Sequence, residues 1–183
     1  MGSKFIVADP GLCIGCKTCM AACLSKHDVV GDTPKARLNL VTTLAVSAPI
    51  VCHHCVEAPC VAACPEGALF FDQGRVAVAN ERCIGCRSCV MACPYGAVDV
   101  VSTMESVKFG NLTIGEKPKA SVIKCDLCYD RPGGPACVAA CPTGGLKLVD
   151  KDDLEQSTRD KRMAAAQAAE SISSVALNAD LSQ

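Results

Sequence analysis

The chain has 183 residues and a formal net charge of −1, and 16 of its residues are cysteine, against 4 Phe, 2 Tyr and no Trp. This balance argues against a nucleic-acid protein or a polybasic membrane binder. Large side chains are too few to fill an interior, so something else must.

The longest near-apolar stretch, Leu40 to Val51, is interrupted by Thr42, Thr43, Ser47 and Pro49. No segment reaches the roughly 20 apolar residues of a membrane span. Met1-Gly2-Ser3-Lys4-Phe5-Ile6-Val7 shows neither the apolar region of a secretory signal nor twin arginines. We therefore expect a cytoplasmic protein without membrane insertion. Disulfides are rare in that compartment, so dense, regularly spaced cysteines point to metal or redox chemistry.

In chain order, Lys4 to Ala8 reads as an outer strand. The first cysteine group comes next: Cys13, Cys16, Cys19 and Cys23, spaced x2, x2, x3. A short helix begins near Cys19 and should run past Cys23, because Leu24-Ser25-Lys26-His27 contains no breaker. The second group is Cys52, Cys55, Cys60 and Cys64, spaced x2, x4, x3 and followed by Pro65. Ala68-Leu69-Phe70-Phe71 and Arg75-Val76-Ala77-Val78 form a predicted hairpin around Asp72-Gln73-Gly74. The third group, Cys83, Cys86, Cys89 and Cys93, repeats x2, x2, x3 and ends at Pro94. Ala97 to Val101 reads as a closing strand. The fourth group is Cys125, Cys128, Cys137 and Cys141, spaced x2, x8, x3, with Pro142 after it. Leu146 to Val149 is a strand that would mate with Lys4 to Ala8, and residues 151–183 form a cysteine-free helical tail.

Two of these groups have the spacing of bacterial ferredoxins that hold [4Fe-4S] cubanes. Three close cysteines wrap one cubane in a tight loop, and the next one, on a short helix, points to the other cluster. Proline then stops the helix, and glycine permits an unusual turn into a strand. Zinc sites usually combine two separated pairs, and haem attachment needs a C-x-x-C-H that is absent. His53 and His54, between Cys52 and Cys55, raise the thought of imidazole ligation, but that group already has its four thiols. We read the two imidazoles as tuning or partner-facing groups.

The expected architecture is α+β: two tandem bacterial-ferredoxin-like 2[4Fe-4S] units, one inserted in the other, plus a C-terminal helix. Residues 46–105 make the inserted unit, and residues 1–45 with 106–150 make the discontinuous outer one. Cross-ligation places Cys13, Cys16 and Cys19 with Cys141, and Cys125, Cys128 and Cys137 with Cys23. It places Cys52, Cys55 and Cys60 with Cys93, and Cys83, Cys86 and Cys89 with Cys64. All sixteen cysteines would thus bind metal, in four [4Fe-4S] clusters. With every cluster fully ligated, and no Walker A loop, G-x-G-x-x-G or H-E-x-x-H, we expect an electron carrier with no catalytic residues of its own.

Four groups so spaced resemble the four-cluster electron-transfer subunits of molybdopterin oxidoreductases. Phe5-Ile6-Val7-Ala8-Asp9, Cys13-Ile14-Gly15-Cys16, Cys52-His53-His54-Cys55 and Lys124-Cys125-Asp126-Leu127-Cys128 are most similar to the small iron–sulfur subunits of formate hydrogenlyase and hydrogen-dependent carbon dioxide reductase. The resemblance covers about residues 4–162. It implies a molybdenum or tungsten (molybdopterin-dependent) formate dehydrogenase on one side, and a hydrogenase or another iron–sulfur subunit on the other. Some relatives replace a group-three cysteine and hold a three-iron cluster; here all four are present. Two alternatives stand beside this. One is a membrane-anchored respiratory reductase of the dimethyl-sulfoxide or polysulfide type. The other is an accessory or maturation protein for the dehydrogenase.

Lys17, Arg82, Arg87, Lys124 and Arg131 lie in or beside the groups; a positive charge there favours the reduced cluster and raises its potential, but they read first as solvated surface side chains. In the tail, Asp150 or Asp152 can cap a helix, and Met163-Ala164-Ala165-Ala166-Gln167-Ala168-Ala169 favours helix with little apolar bulk. It is either a solvated appendage or a docking helix, and we expect docking.

Overall fold

The computed structural model describes residues 3–27 and 34–180. In chain order it forms β1 (Lys4–Ala8), α1 (Thr18–Lys26), β2 (Asn39–Thr42), β3 (Ser47–Ile50), α2 (Pro59–Ala62), β4 (Leu69–Asp72) and β5 (Arg75–Val78). Then come α3 (Ser88–Ala92), β6 (Val98–Phe109), β7 (Leu112–Lys124), α4 (Ala136–Ala139), β8 (Leu146–Asp150) and α5 (Lys151–Asp180). The strands pair two by two and antiparallel: β1 with β8, β2 with β3, β4 with β5 and β6 with β7.

Lys4 faces Asp150 and Ala8 faces Leu146, so the two ends of the cysteine-bearing region meet in one ribbon. Between β4 and β5, Gln73 (φ 47°) and Gly74 (φ 78°) are both left-handed, the two-residue turn whose twist suits a hairpin. α1 packs on α4 and α2 on α3. Helix α1 continues three residues beyond Cys23, whereas α3 ends before Cys93; proline at position 94 accounts for the difference.

Two hairpins were not apparent in the sequence. In β2–β3, Thr43 organises the turn: its Oγ1 accepts from Ala45 and Val46 N–H at 3.3 and 3.1 Å. The closing strand expected over 97–101 is the first part of β6, which runs on to Phe109 and returns as β7. From Leu112 to Lys119 the side chains of β7 are all exposed. The outer half of β7 thus buries no side chain, and periodicity signals a strand only through the face it buries. Position 105, the expected end of the inserted unit, falls inside β6, and position 45 falls in the β2–β3 turn.

Cysteine supplies the interior. One cluster of buried residues gathers Ile6, Leu38, Val51 and Leu146 around Cys19, Cys23, Cys52, Cys125 and Cys137. A second gathers Leu69, Val76, Val98 and Val122 around Cys60 and Cys89. Cys93 packs against both.

Candidate metal centres

The two x2-x2-x3 groups fold alike. Gly15 and Lys17 in the first take φ of 70° and 61°, and Gly85 and Arg87 in the third take 76° and 61°. Such alternation turns backbone N–H groups toward a common concavity, an anion-receiving nest. Lys17 and Arg87 are held left-handed by the helices they start. Met20 and Ala21 donate to the Lys17 carbonyl at 2.9 and 3.1 Å, and Val90 and Met91 to that of Arg87 at 3.0 and 3.2 Å. Cys16 and Cys86 are exposed, and hydrogen bonds from Thr18 and Ser88 hold their thiols below the usual range.

The fourth cysteine of groups two to four is turned back on itself. Gly67, Gly96 and Gly144 N–H donate to the carbonyls of Cys64, Cys93 and Cys141, each at 3.3 Å. That turn aims the Ala68 N–H at Cys64 Sγ (3.2 Å) and the Ala97 N–H at Cys93 Sγ (3.5 Å). Burial raises the Cys141 thiol, but hydrogen bonds from the Thr143 hydroxyl and from the Thr143, Leu146 and Gly145 backbone outweigh it. Cys23 has no following proline. Its Sγ accepts from the Arg37 N–H at 3.3 Å, 14 residues onward.

The structure brings thiols of different groups together. Cys13, Cys16, Cys19 and Cys141 line one pocket. Cys52, Cys55, Cys60 and Cys93 line a second, and Cys64, Cys83, Cys86 and Cys89 a third. Cys23, Cys128 and Cys137 lie close enough for their charges to act on one another, and Cys125, buried in the same cluster as Cys23 and Cys137, feels Cys52 first and then Cys137.

All sixteen thiols are free of disulfides. Burial pushes Cys60 up to about 11 and Cys137 up to about 12, and Cys125 is driven up further by the same cause. Thiols so buried become thiolates only against a compensating cationic core, which iron supplies. Zinc sites usually join two separated pairs of thiols, whereas each of these three pockets sets three thiols of one group against one of another. The donor sets and cavities therefore fit cubane clusters.

Several neighbours left no sign in the sequence. Arg37 Nη1 donates to Asp126 Oδ2 at 2.7 Å, and His27 Nε2 lies 3.4 Å from Asp126 Oδ1 and 3.6 Å from Cys128 Sγ. These residues are brought together across about a hundred positions, and no local pattern announces them. His54 is 1% exposed, and its Nδ1 accepts from the Val76 N–H at 3.1 Å. Burial holds its pKa down at about 3, so the ring is neutral with its proton on Nε2. His53 stacks between Phe5 and Tyr95, with centroids 5.5 and 4.0 Å away. Of the five cations noted in the sequence, Lys17, Arg82 and Arg87 are exposed and Arg131 half-buried, but Lys124 is 2% exposed.

The 4Fe-4S dicluster domain matches this chain twice, over residues 12–69 and 44–151. The chain belongs to that family. Electron transport protein HydN of Escherichia coli is 44% identical to it, over 87% of this chain and 95% of that protein. Hydrogenase-4 component A of the same organism is 37% identical, over 90% and 91%. Formate hydrogenlyase subunit 2, also from Escherichia coli, is 36% identical over 87% and 88%. The resemblance drawn from the cysteine spacing holds, and the chain carries 4Fe-4S cluster-binding domains.

Proposed function

We propose that this protein conducts electrons through four [4Fe-4S] clusters between a molybdopterin-dependent formate dehydrogenase and a hydrogenase or further iron–sulfur subunit. The carrying observation is that each of three cavities is lined by three thiols of one group and the last thiol of another. The names of the relatives favour the hydrogenase and formate hydrogenlyase setting. When bound, each cluster supplies a one-electron couple; the chain supplies everything that positions it.

The packing supports a linear order of sites. One buried cluster joins thiols of the Cys13/Cys16/Cys19/Cys141, Cys125/Cys128/Cys137/Cys23 and Cys52/Cys55/Cys60/Cys93 sets, and the second joins the last of these to Cys83/Cys86/Cys89/Cys64. Cys137 neighbours Cys19, and Cys125 neighbours Cys52. The Cys13 and Cys83 sets are then the ends, and theirs are the two exposed thiols, Cys16 and Cys86. Ile14 and Ile84, 68% and 63% exposed, flank them and offer apolar contact to a donor and an acceptor. The thiols of the middle sets lie among aliphatic side chains and are buried, save Cys55 and Cys93, which are half-buried.

We likewise infer an inserted arrangement, with residues 46–105 forming one unit within a discontinuous other. The β1–β8 ribbon and the α1–α4 contact support it. The deciding measurement is metal content. Anaerobically purified protein should hold about 16 iron and 16 sulfide per chain, as four cubanes. Iron near eight, or zinc in its place, would sink the four-cluster reading.

A further inference from the structure

Lys124 ends β7 immediately before Cys125 and is buried to 2% exposure. Its Nζ donates to the Val76 carbonyl at 2.6 Å and to the Cys125 carbonyl at 2.7 Å. It forms no salt bridge with a carboxylate among the described residues. A buried charge without a counter-charge is strongly disfavoured, and two carbonyl dipoles do not supply one. The candidates within reach are sulfur ligands. Val76, whose carbonyl Lys124 holds, lines the pocket of Cys52, Cys55, Cys60 and Cys93, and Cys125 is the next residue in the chain. The Lys124 charge lowers both the Cys60 and the Cys125 thiol against their burial. Those thiols belong to different sets, the two in the middle of the linear order of sites.

We propose that Lys124 is the shared counter-charge of the two central clusters, a positioning residue whose ammonium raises both of their potentials. The inference rests on the four-cluster reading. A cluster gains one negative charge on taking an electron from the upstream donor and loses it on passing that electron downstream. A fixed cation between two such sites favours the reduced state of each, and more strongly in a dry interior than at a surface. Lys17 and Arg87 stand beside the terminal sets but are exposed, so water and salt screen them. By this device the central pair is held up where most of its thiols are buried and solvent stabilises the added charge least.

The test is a redox titration of the full chain followed by electron paramagnetic resonance, on wild type, Lys124→Gln and Lys124→Arg. Signals of the central pair are assigned by their loss in Cys60→Ala and Cys125→Ala. In Lys124→Gln, with iron unchanged, both central clusters should become at least tenfold harder to reduce at a fixed potential, about 59 mV for a one-electron couple. The terminal pair should move much less, and Lys124→Arg should stay near wild type. Unchanged central potentials in Lys124→Gln, or an equal shift of all four signals, would overturn the proposal. Should Lys124→Gln lose iron, Lys124→Arg decides: clusters and potentials retained support a role for charge, and loss there too refutes it. A wild-type iron content well below about 16 removes the reading beneath, and is seen before any potential is compared.

Discussion

Cys23 and Cys93 end two groups of identical spacing and are served in different ways. At Cys93 the sulfur's hydrogen bond comes from Ala97, four residues on, through a turn set by Pro94 and Gly96. At Cys23 the helix continues, and the donor is Arg37, itself tied to Asp126 beside the fourth group. Group three is thus closed by a local turn, and group one by a contact between distant parts of the chain. The β1–β8 ribbon is of the second kind as well. Spacing decides how three thiols are presented together. The residues just after the last cysteine decide whether its closure is local or distant.

Removing the metal should erase this contrast most completely. Cysteine stands at the centre of both buried clusters, and aromatic bulk is scarce. Metal binding and folding should therefore be linked. Anaerobic chelation of iron is expected to abolish the cooperative thermal transition and to expose both units to protease. A chelated chain that melts like the holoprotein would show that the apolar packing suffices by itself.

Connectivity is the next largest effect. Cys23→Ala and Cys125→Ala should lose the same spectroscopic signal and about four of the sixteen irons. Because group one closes over long range, Cys23→Ala should also loosen α1 from α4, whereas Cys93→Ala should leave that contact in place; hydrogen exchange on α1 reads the difference. Should Cys23→Ala share its lost signal with Cys13→Ala and not with Cys125→Ala, each group would bind its own cube.

Much of this was legible before any coordinates. The thiol groups, the β4–β5 hairpin, the β1 and β8 strands and the longer first helix all leave local marks: spacing, a proline or its absence, a Gln73-Gly74 turn. The outer half of the β6–β7 ribbon left none, because the β7 side chains from Leu112 to Lys119 are all exposed. Nor did the burial of Lys124 show, since a lysine beside a cysteine is usually solvated. Its burial depends on Val76 supplying a carbonyl from 48 positions away. Arg37, Asp126 and His27 were hidden for the same reason.

A smaller test compares the two equivalent nests. Gly15 and Gly85 hold φ of 70° and 76°, so alanine at either costs about 1–2 kcal/mol for the left-handed backbone. The surroundings differ. A Cβ on Gly85 would lie 2.9 Å from the Ala120 Cβ, on the paired strand β7; one on Gly15 would lie 3.1 Å from the Ser47 hydroxyl, which can rotate away. Gly85→Ala is therefore expected to lower the thermal midpoint by more than Gly15→Ala, with Gly67→Ala, which meets nothing within 4 Å, as the control for backbone strain. Equal midpoints for Gly85→Ala and Gly67→Ala would mean that β7 yields freely.

The smallest effect on the body of the protein should come from the tail. Asp150 accepts from the Asp152 N–H at 3.2 Å and so starts α5, and the Lys151 N–H donates to the Ser3 carbonyl at 3.1 Å. Beyond that anchor, every described side chain from Lys151 to Ala169 is exposed; residues 181–183 lie outside the described residues. A thirty-residue helix whose described part buries no side chain contributes little to its own domain, since helices in water draw most of their stability from a packed face. The run of alanine from Ala164 permits close approach by another helix, which is the ground for expecting α5 to dock on a partner. Truncation after Asp150 should leave iron content and thermal midpoint at their wild-type values while pull-down of the partner is lost. Assembly that survives the truncation would return α5 to the status of a solvated extension, and would leave partner contact to the surfaces around Ile14 and Ile84.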